Sequence, residues 1–170
     1  MSAVVSPVET DVLTALVSFI TTVIGNSVQV IRGLGNRVPM PPAPFIALTP
    51  LFDTRLETSV DSYSATQQTT EESTRLDVQL DCYGPSAHSW AKIICALFRN
   101  QYGCAKLAPN CQPLYADEAH MMPLIDAEIQ YEERWTATLS LQYNPVITVT
   151  AQTSNAAAVG LINVDERYPA

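Results

Sequence analysis

The stretch that most constrains the fold is residues 127–143, where apolar and polar side chains alternate over a length that no small core requires. Ile129, Tyr131, Trp135, Ala137, Leu139, Leu141 and Tyr143 share one face; Glu128, Gln130, Glu132, Arg134, Thr136, Thr138, Ser140 and Gln142 share the other. A period of two marks a half-buried β-strand. At ~3.3 Å per residue the run spans about 50 Å, against ~17–20 Å for an ordinary strand. The alternation breaks only at Glu133. Either a bulge there bends the strand, or one end projects and meets another subunit.

The rest of the chain divides around this strand. Ser6-Pro7-Val8-Glu9 has the form of a capping box, with Ser6 as cap, and opens a helix. Apolar residues follow at Val12/Leu13, Leu16/Val17, Ile20 and Val23/Ile24, with Gly25-Asn26 as a left-handed stop. Val28 to Arg32 is β-branched and forms a short strand. Residues 33–44 hold four prolines and two glycines, which makes a stiff, extended connector. Phe45 to Leu51 then forms a strand ending near Pro50.

Residues 53–74 are polar and predict a long hairpin or mobile loop with its tip near 65–72. In the next strand Leu76, Val78, Leu80 and Cys82 face one way, while Arg75, Asp77, Gln79, Asp81 and Tyr83 face the other. Ser86 caps a second helix with the stripe Ala87, Trp90, Ala91, Ile94, Leu97 and Phe98, and Gly103 is its C′ residue. Residues 106–125 form a long connection. Beyond Asn144-Pro145, residues 146–150 and 159–165 are two short extended pieces around the small-residue turn 154–158. No internal repeat is visible. The expected architecture is α+β: a mostly antiparallel sheet with two helices packed on one face, in a single domain over residues 1–170.

Composition limits the function. With 17 acidic residues against nine basic ones the net charge is −8, and no Lys/Arg cluster supplies the basic patch that a sequence-reading nucleic-acid binder needs. An acidic wall repels phosphate instead and lets DNA pass without sticking. The longest apolar stretch, residues 12–31, is too interrupted by polar side chains to span a membrane. The N-terminus lacks a basic n-region and a small-residue cleavage site, so the chain is expected to be soluble and to stay in the cytoplasm where it is made. Cys82 and Cys95 fit small core positions. Cys104 and Cys111 flank a loop and would pair only on oxidation, which a cytoplasm disfavours.

Catalytic machinery is sparse. The sequence has no nucleophile elbow, phosphate loop or His-Glu-x-x-His, and no metal or cofactor is called for. Gly33-Leu34-Gly35-Asn36 lacks the third glycine of a dinucleotide site. His88 sits beside the stripe of the second helix. Asp117, Glu118 and His120 form the one cluster with acid/base or metal-binding potential, against the plainer reading of a solvated loop. Glu133 falls on the apolar side of its strand, so it needs a partner; Arg37, Arg55 and Arg75 are the candidates.

Several segments resemble a family of phage neck or tail-terminator proteins. They are Val30-Ile31-Arg32-Gly33, Asn36-Arg37-Val38-Pro39-Met40-Pro41, Asp81-Cys82-Tyr83-Gly84-Pro85 leading to Trp90, and Pro113-Leu114-Tyr115-Ala116-Asp117. Tyr131-Glu132-Glu133-Arg134-Trp135, Leu141-Gln142-Tyr143-Asn144-Pro145 and Leu161-Ile162-Asn163-Val164-Asp165 complete the series, in one order over most of the chain. The resemblance implies a homo-oligomeric, commonly hexameric ring where the tail tube meets the head connector. Such a ring caps the tube, offers a surface for head joining, and passes double-stranded DNA through its lumen without reading sequence. It implies a virion location, assembly in the bacterial host cytoplasm and no catalytic residue. A neighbouring neck ring, such as a head-completion adaptor or collar protein, is the nearest alternative; a small phage enzyme using Asp117, Glu118 and His120 is the more distant one.

In such a ring, Arg37, Pro39, Pro41, Arg55, Glu133, Arg134 and Trp135 are the expected subunit-contact residues. Asp61, Glu71, Glu72, Asp117 and Glu118 are the expected acidic lining of the bore.

Overall fold

The computed structural model describes residues 3–33, 39–109, 111–122, 124–125 and 131–150. The chain opens with strand β1 (Ala3–Ser6) and helix α1 (Glu9–Ile24), then β2 (Gln29–Arg32) and the long strand β3 (Phe45–Arg55). A hairpin of β4 (Val60–Tyr63) and β5 (Gln67–Glu71) leads into β6 (Thr74–Tyr83), followed by α2 (Ala87–Phe98) and α3 (Gln101–Leu107). Four short strands come next: β7 (Gln112–Ala116), β8 (His120–Met121), β9 (Leu124–Ile125) and β10 (Tyr131–Glu132). Strands β11 (Arg134–Tyr143) and β12 (Val146–Thr150) end the described chain.

The architecture is α+β and mostly antiparallel, as the sequence predicts. The main sheet has the order β2-β3-β6-β11-β7, with β8 also on β11; only β2 and β3 run parallel. Helices α1 and α2 lie on one face. Their buried residues Val12, Leu16, Phe19, Ile20, Ala91, Ile94 and Phe98 meet Ile46, Leu48, Val78, Leu80, Ala137, Leu139 and Leu141 in one core. Burying each large side chain contributes roughly 1.5–3 kcal/mol, so this cluster is the principal source of stability.

A second sheet departs from the expected plan. Its order is β1-β12-β5-β4, all antiparallel. Three of its strands prolong the middle of the main sheet: β3 continues into β4, β5 into β6, and β11 into β12, in the same side-by-side order. At the bend the Leu56 amide donates to Ser73 O (2.8 Å) and the Glu72 amide to Pro145 O (3.2 Å). The result is a four-stranded arm. Residues 53–74, expected as a hairpin or mobile loop, are the end of β3, the hairpin turning at Ser64–Gln67, and β5 inside the arm.

Other boundaries move for identifiable reasons. The strand expected over 127–143 is shorter, because Glu133 separates β10 from β11; residues 126–130 lie outside the described ones. Glu133 uses its carbonyl oxygen to accept the Gly84 amide (3.0 Å) and falls out of the strand there. The excess length lies at the other end, beyond Pro145. Helix α1 begins two residues later than the Ser6 cap implies: β1 absorbs Ser6, and the Asp11 carboxylate caps the Val8 amide at 2.9 Å. Strand β3 runs through Pro50 with a register shift between Pro50 and Phe52, since β2 ends opposite Leu48 and the missing N–H faces no paired strand among the described residues. Gly103 is not a helix stop: Asn100 accepts the Tyr102 amide (2.8 Å) and starts α3, a third helix that takes up the expected end of the second and the first two residues of the connection. The expected turn at 154–158 and extended piece at 159–165 lie outside the described residues.

Cysteine positions follow the core. Cys82, Cys95 and Cys111 are buried, Cys104 is exposed, and all four are free thiols. Burial pushes the Cys95 and Cys111 thiols up to about 11 and raises Cys82 further. A reagent that attacks thiolates at about pH 8 therefore meets roughly one thousandth of Cys95 or Cys111 in reactive form, besides the steric block. Native protein should be modified at Cys104 alone, and denatured protein at all four positions, as counted by mass spectrometry. Fast modification of two thiols without unfolding would contradict this packing.

Candidate subunit-contact surfaces

The face of the main sheet opposite the helices is built differently. Its apolar part is small: Phe45 and Tyr83 stack with ring centroids 4.3 Å apart, and Ala47 and Ile31 complete the patch. Beside it runs a polar row, because the outward residues of β6 and β11 carry charge. Strand β6 is expected to be half-buried, yet Asp77, Asp81 and Tyr83 are buried as well. The reason is its central position between β3 and β11.

Asp81 anchors that row. Its Oδ1 accepts Arg134 Nε (3.0 Å) and a second guanidinium nitrogen (2.9 Å), while Oδ2 accepts the Gln79 amide (2.8 Å). Arg134 also lies over the Tyr83 ring at 5.7 Å. Burial first, then the Asp81 charge, raises the Tyr83 hydroxyl above its ordinary pKa. Along the same face Ser140 donates to Asp77 (2.6 Å). The sequence seeks an arginine for Glu133, but the buried ion pair is Asp81–Arg134, and Glu133 instead accepts Trp135 Nε1 (2.9 Å). Asp81 was hidden by its alternation, which marks it as solvent-facing.

Pro39, Met40 and Pro41 of the connector line a groove of about 800 Å³ over this face, together with Ile31, Tyr83 and Arg134. Three of the expected contact residues, Pro39, Pro41 and Arg134, thus share one surface. Trp135 belongs to the helix side, its ring 4.3 Å from the exposed His88. Arg55 is at the root of the arm, 3.9 Å from Glu72. Arg37 lies outside the described residues.

The acidic residues expected in the bore fall into two groups. Asp61 accepts the Thr70 hydroxyl (2.6 Å) and Glu71 the Asn144 amide (3.3 Å), both on the arm; Glu72 sits at its root with Ser59 and Arg55. Asp117 and Glu118 lie beside the middle of β11, where Arg99 binds Glu118 (2.7 Å) and the carbonyls of Ala116 and Asp117. His120 is exposed on β8. No group of three or more His, Cys, Asp or Glu able to hold a metal occurs among the described residues.

The arm is the more unusual surface. Strands β1 and β4 are exposed along their whole length, with Val4 at 63%, Val60 at 62% and Tyr63 at 70% exposure. No helix covers either face of this sheet among the described residues. A compact monomer has no use for it.

The family model described as phage neck terminator protein matches residues 10–166. The chain belongs to that family. The match takes in both helices of the core, the groove and all of the arm except β1. It makes the protein a structural component of the phage neck, located in the virion and in contact with other virion proteins. No curated protein matches the chain. Among the described residues no helix is long and apolar enough to cross a membrane.

The Asp81–Arg134 pair gives a stability prediction. Asp81→Asn leaves Arg134 without its counter-charge at a site where only 20% of the arginine side chain is exposed, and should cost roughly 2–4 kcal/mol. The double substitution Asp81→Leu with Arg134→Met should recover most of that loss. Urea unfolding of the three variants measures it; a single variant within ~0.5 kcal/mol of the parent would show that the pair carries no structural weight.

Proposed function

We propose that the protein forms a homo-oligomeric ring, hexameric in the assembled neck, which caps the tail tube, offers its outer surface to the head connector and leaves a lumen for DNA. Membership of the neck terminator family carries this reading, and the unsupported arm supports it. A cyclic ring repeats one heterologous contact until it closes, so each subunit must present two different exposed surfaces. The arm offers two different edges, and it and the groove lined by Pro39 and Pro41 are exposed surfaces surplus to the monomer core.

Charge suits passage without adhesion. The strands of the arm contain no Lys or Arg and carry Asp61 and Glu71. DNA binding depends on cations that displace condensed counterions, and a wall without them gives a duplex nothing to hold. Glu118, paired with Arg99, contributes less to such a field than Asp117 does.

Electron microscopy of purified necks should show this chain as one ring between tube and connector. A non-ring position would overturn the reading, and a ring at another level would identify an adaptor or collar. Glu71→Lys with Asp117→Lys should leave assembly intact and slow DNA ejection several-fold at low salt, with less effect at high salt. Unchanged ejection kinetics would remove the acidic bore.

A further inference from the structure

We infer that neighbouring subunits join through the arm, strand β4 of one copy pairing with strand β1 of the next, so that the arms fuse into one closed β-barrel around the lumen. The inference rests on the ring reading above and specifies how the ring is closed.

Hydrogen-bonding capacity is the starting point. Strands β1 and β4 are the two ends of the arm sheet, so among the described residues each presents one side of its backbone unpaired. Natural edge strands are blunted with lysine, proline or a bulge. Ala3-Val4-Val5-Ser6 contains none of these, and Val60-Asp61-Ser62-Tyr63 has a single carboxylate already engaged by Thr70. Exposed valines and a tyrosine on both edges add apolar area that pairing would cover.

Strand direction then selects the joint. Each neighbouring pair in the arm is antiparallel, so β1 and β4, at opposite ends of four strands, run in opposite directions. Rotating a copy about a ring axis therefore brings its β1 antiparallel to the preceding β4, and the alternation continues without a fault. The two edges also match in height: Ala3 and Tyr63 lie in one cross-strand row, through Val149 and Gln68, and Ser6 and Val60 in another, through Val146 and Glu71. Pairing β4 with β4 would set two Asp61 carboxylates near each other and leave every β1 unpaired. The β4-to-β1 joint avoids both and uses every edge in the ring.

Size is consistent with the lumen. Six arms of four strands joined at equal height close a barrel of ~24 strands, about 37 Å across the backbone. After side chains on both walls, that admits a duplex roughly 20 Å wide; two or three arms would close on their own side chains instead. Register adds one more constraint. Val60 pairs with Glu71 and Asp61 with Thr70, so Asp61 and Glu71 are on opposite faces, and only one of them can point into the bore.

The test uses assembled phage necks carrying Cys104→Ser, which removes the exposed thiol. Ser62→Cys is combined in turn with Ala3→Cys, Val4→Cys and Val5→Cys, oxidised, and run on a denaturing gel. One pairing should give a ladder of cross-linked multimers, since paired strands bring Cα atoms within ~5.5 Å, while each single variant stays monomeric. Independently, Val4→Lys and Ser62→Lys should each reduce ring assembly at least tenfold without changing the unfolding midpoint of the isolated chain, because both positions are exposed there. Absence of a ladder together with normal assembly of both lysine variants overturns the joint. Dimers from a single-cysteine variant overturn it too, by showing a two-fold contact. If the parent necks contain no ring of this chain, the proposed function itself fails, and that result is read directly from the images.

Discussion

The pairing of β3, β6 and β11 is the constraint from which the rest of the structure follows. These strands stay paired from Phe45–Tyr83–Arg134 at one end to Arg55–Thr74–Tyr143 at the other, with one register shift in β3 between Pro50 and Phe52. Because they stay paired to their last residues, their continuations leave the core side by side and arrive as β4, β5 and β12 in the same order. At the root, the Tyr143 hydroxyl donates to Asp53 (2.8 Å), tying the last residue of β11 to β3. Burial, then that bond, raises the Tyr143 hydroxyl above its ordinary pKa, so it stays a donor throughout the physiological range. The arm is therefore an extension of the stable sheet, with its geometry set by the core.

The two faces of the main sheet divide the work. On one, aliphatic residues at every second position of β6 and β11 meet α1 and α2 and provide cohesion. On the other, the alternate positions carry Asp77, Asp81, Arg134 and Ser140, satisfied within the sheet. Had that face been aliphatic too, it would need a second helical layer; paired polar groups let it remain open to the groove. A buried ion pair adds little net stability against a hydrophobic alternative, so its value here is to hold Tyr83 and the groove floor in one arrangement.

Periodicity made the core legible. The stripes of α1 and α2 and the alternation of β6 predict the buried residues of one face closely, with Phe19 the notable omission. The arm was legible only in pieces, the hairpin over 53–74 and the extended piece at 146–150; its sheet was not, because β4 and β5 have no core beneath them and carry no apolar alternation, while β1 is too short to show one. Pro50 and Pro145 misled in opposite ways. Pro50 reads as a strand end, yet it sits where β3 has lost its neighbour and needs no donor; Pro145 does end a strand, but the next one continues the same path. The expected contact residues come from the segments a compact monomer does not need, the connector, the polar stretch 53–74 and the long strand, and nothing in the sequence unites them on one surface. The structure joins Pro39, Pro41 and Arg134 and separates them from Trp135, in keeping with the alternation that puts Arg134 and Trp135 on opposite faces of the strand.

An exposed sheet with two unblunted edges is a hazard to a protein that must not aggregate, and its persistence needs a physical explanation. Both edges are only four residues long, and a short, hydroxyl-rich pair gains little from one isolated contact. Each joint adds a few backbone hydrogen bonds, worth about 1 kcal/mol apiece at most, against the larger entropy of association. A single edge-to-edge contact is therefore weak. In the proposed ring closure changes the balance, because the last subunit makes two joints for one loss of translational freedom, and a tube surface beneath it would supply contacts to every subunit at once. Edges of this length favour pairing on a template over pairing in free solution, which is the behaviour that the proposed role at the end of a finished tube requires.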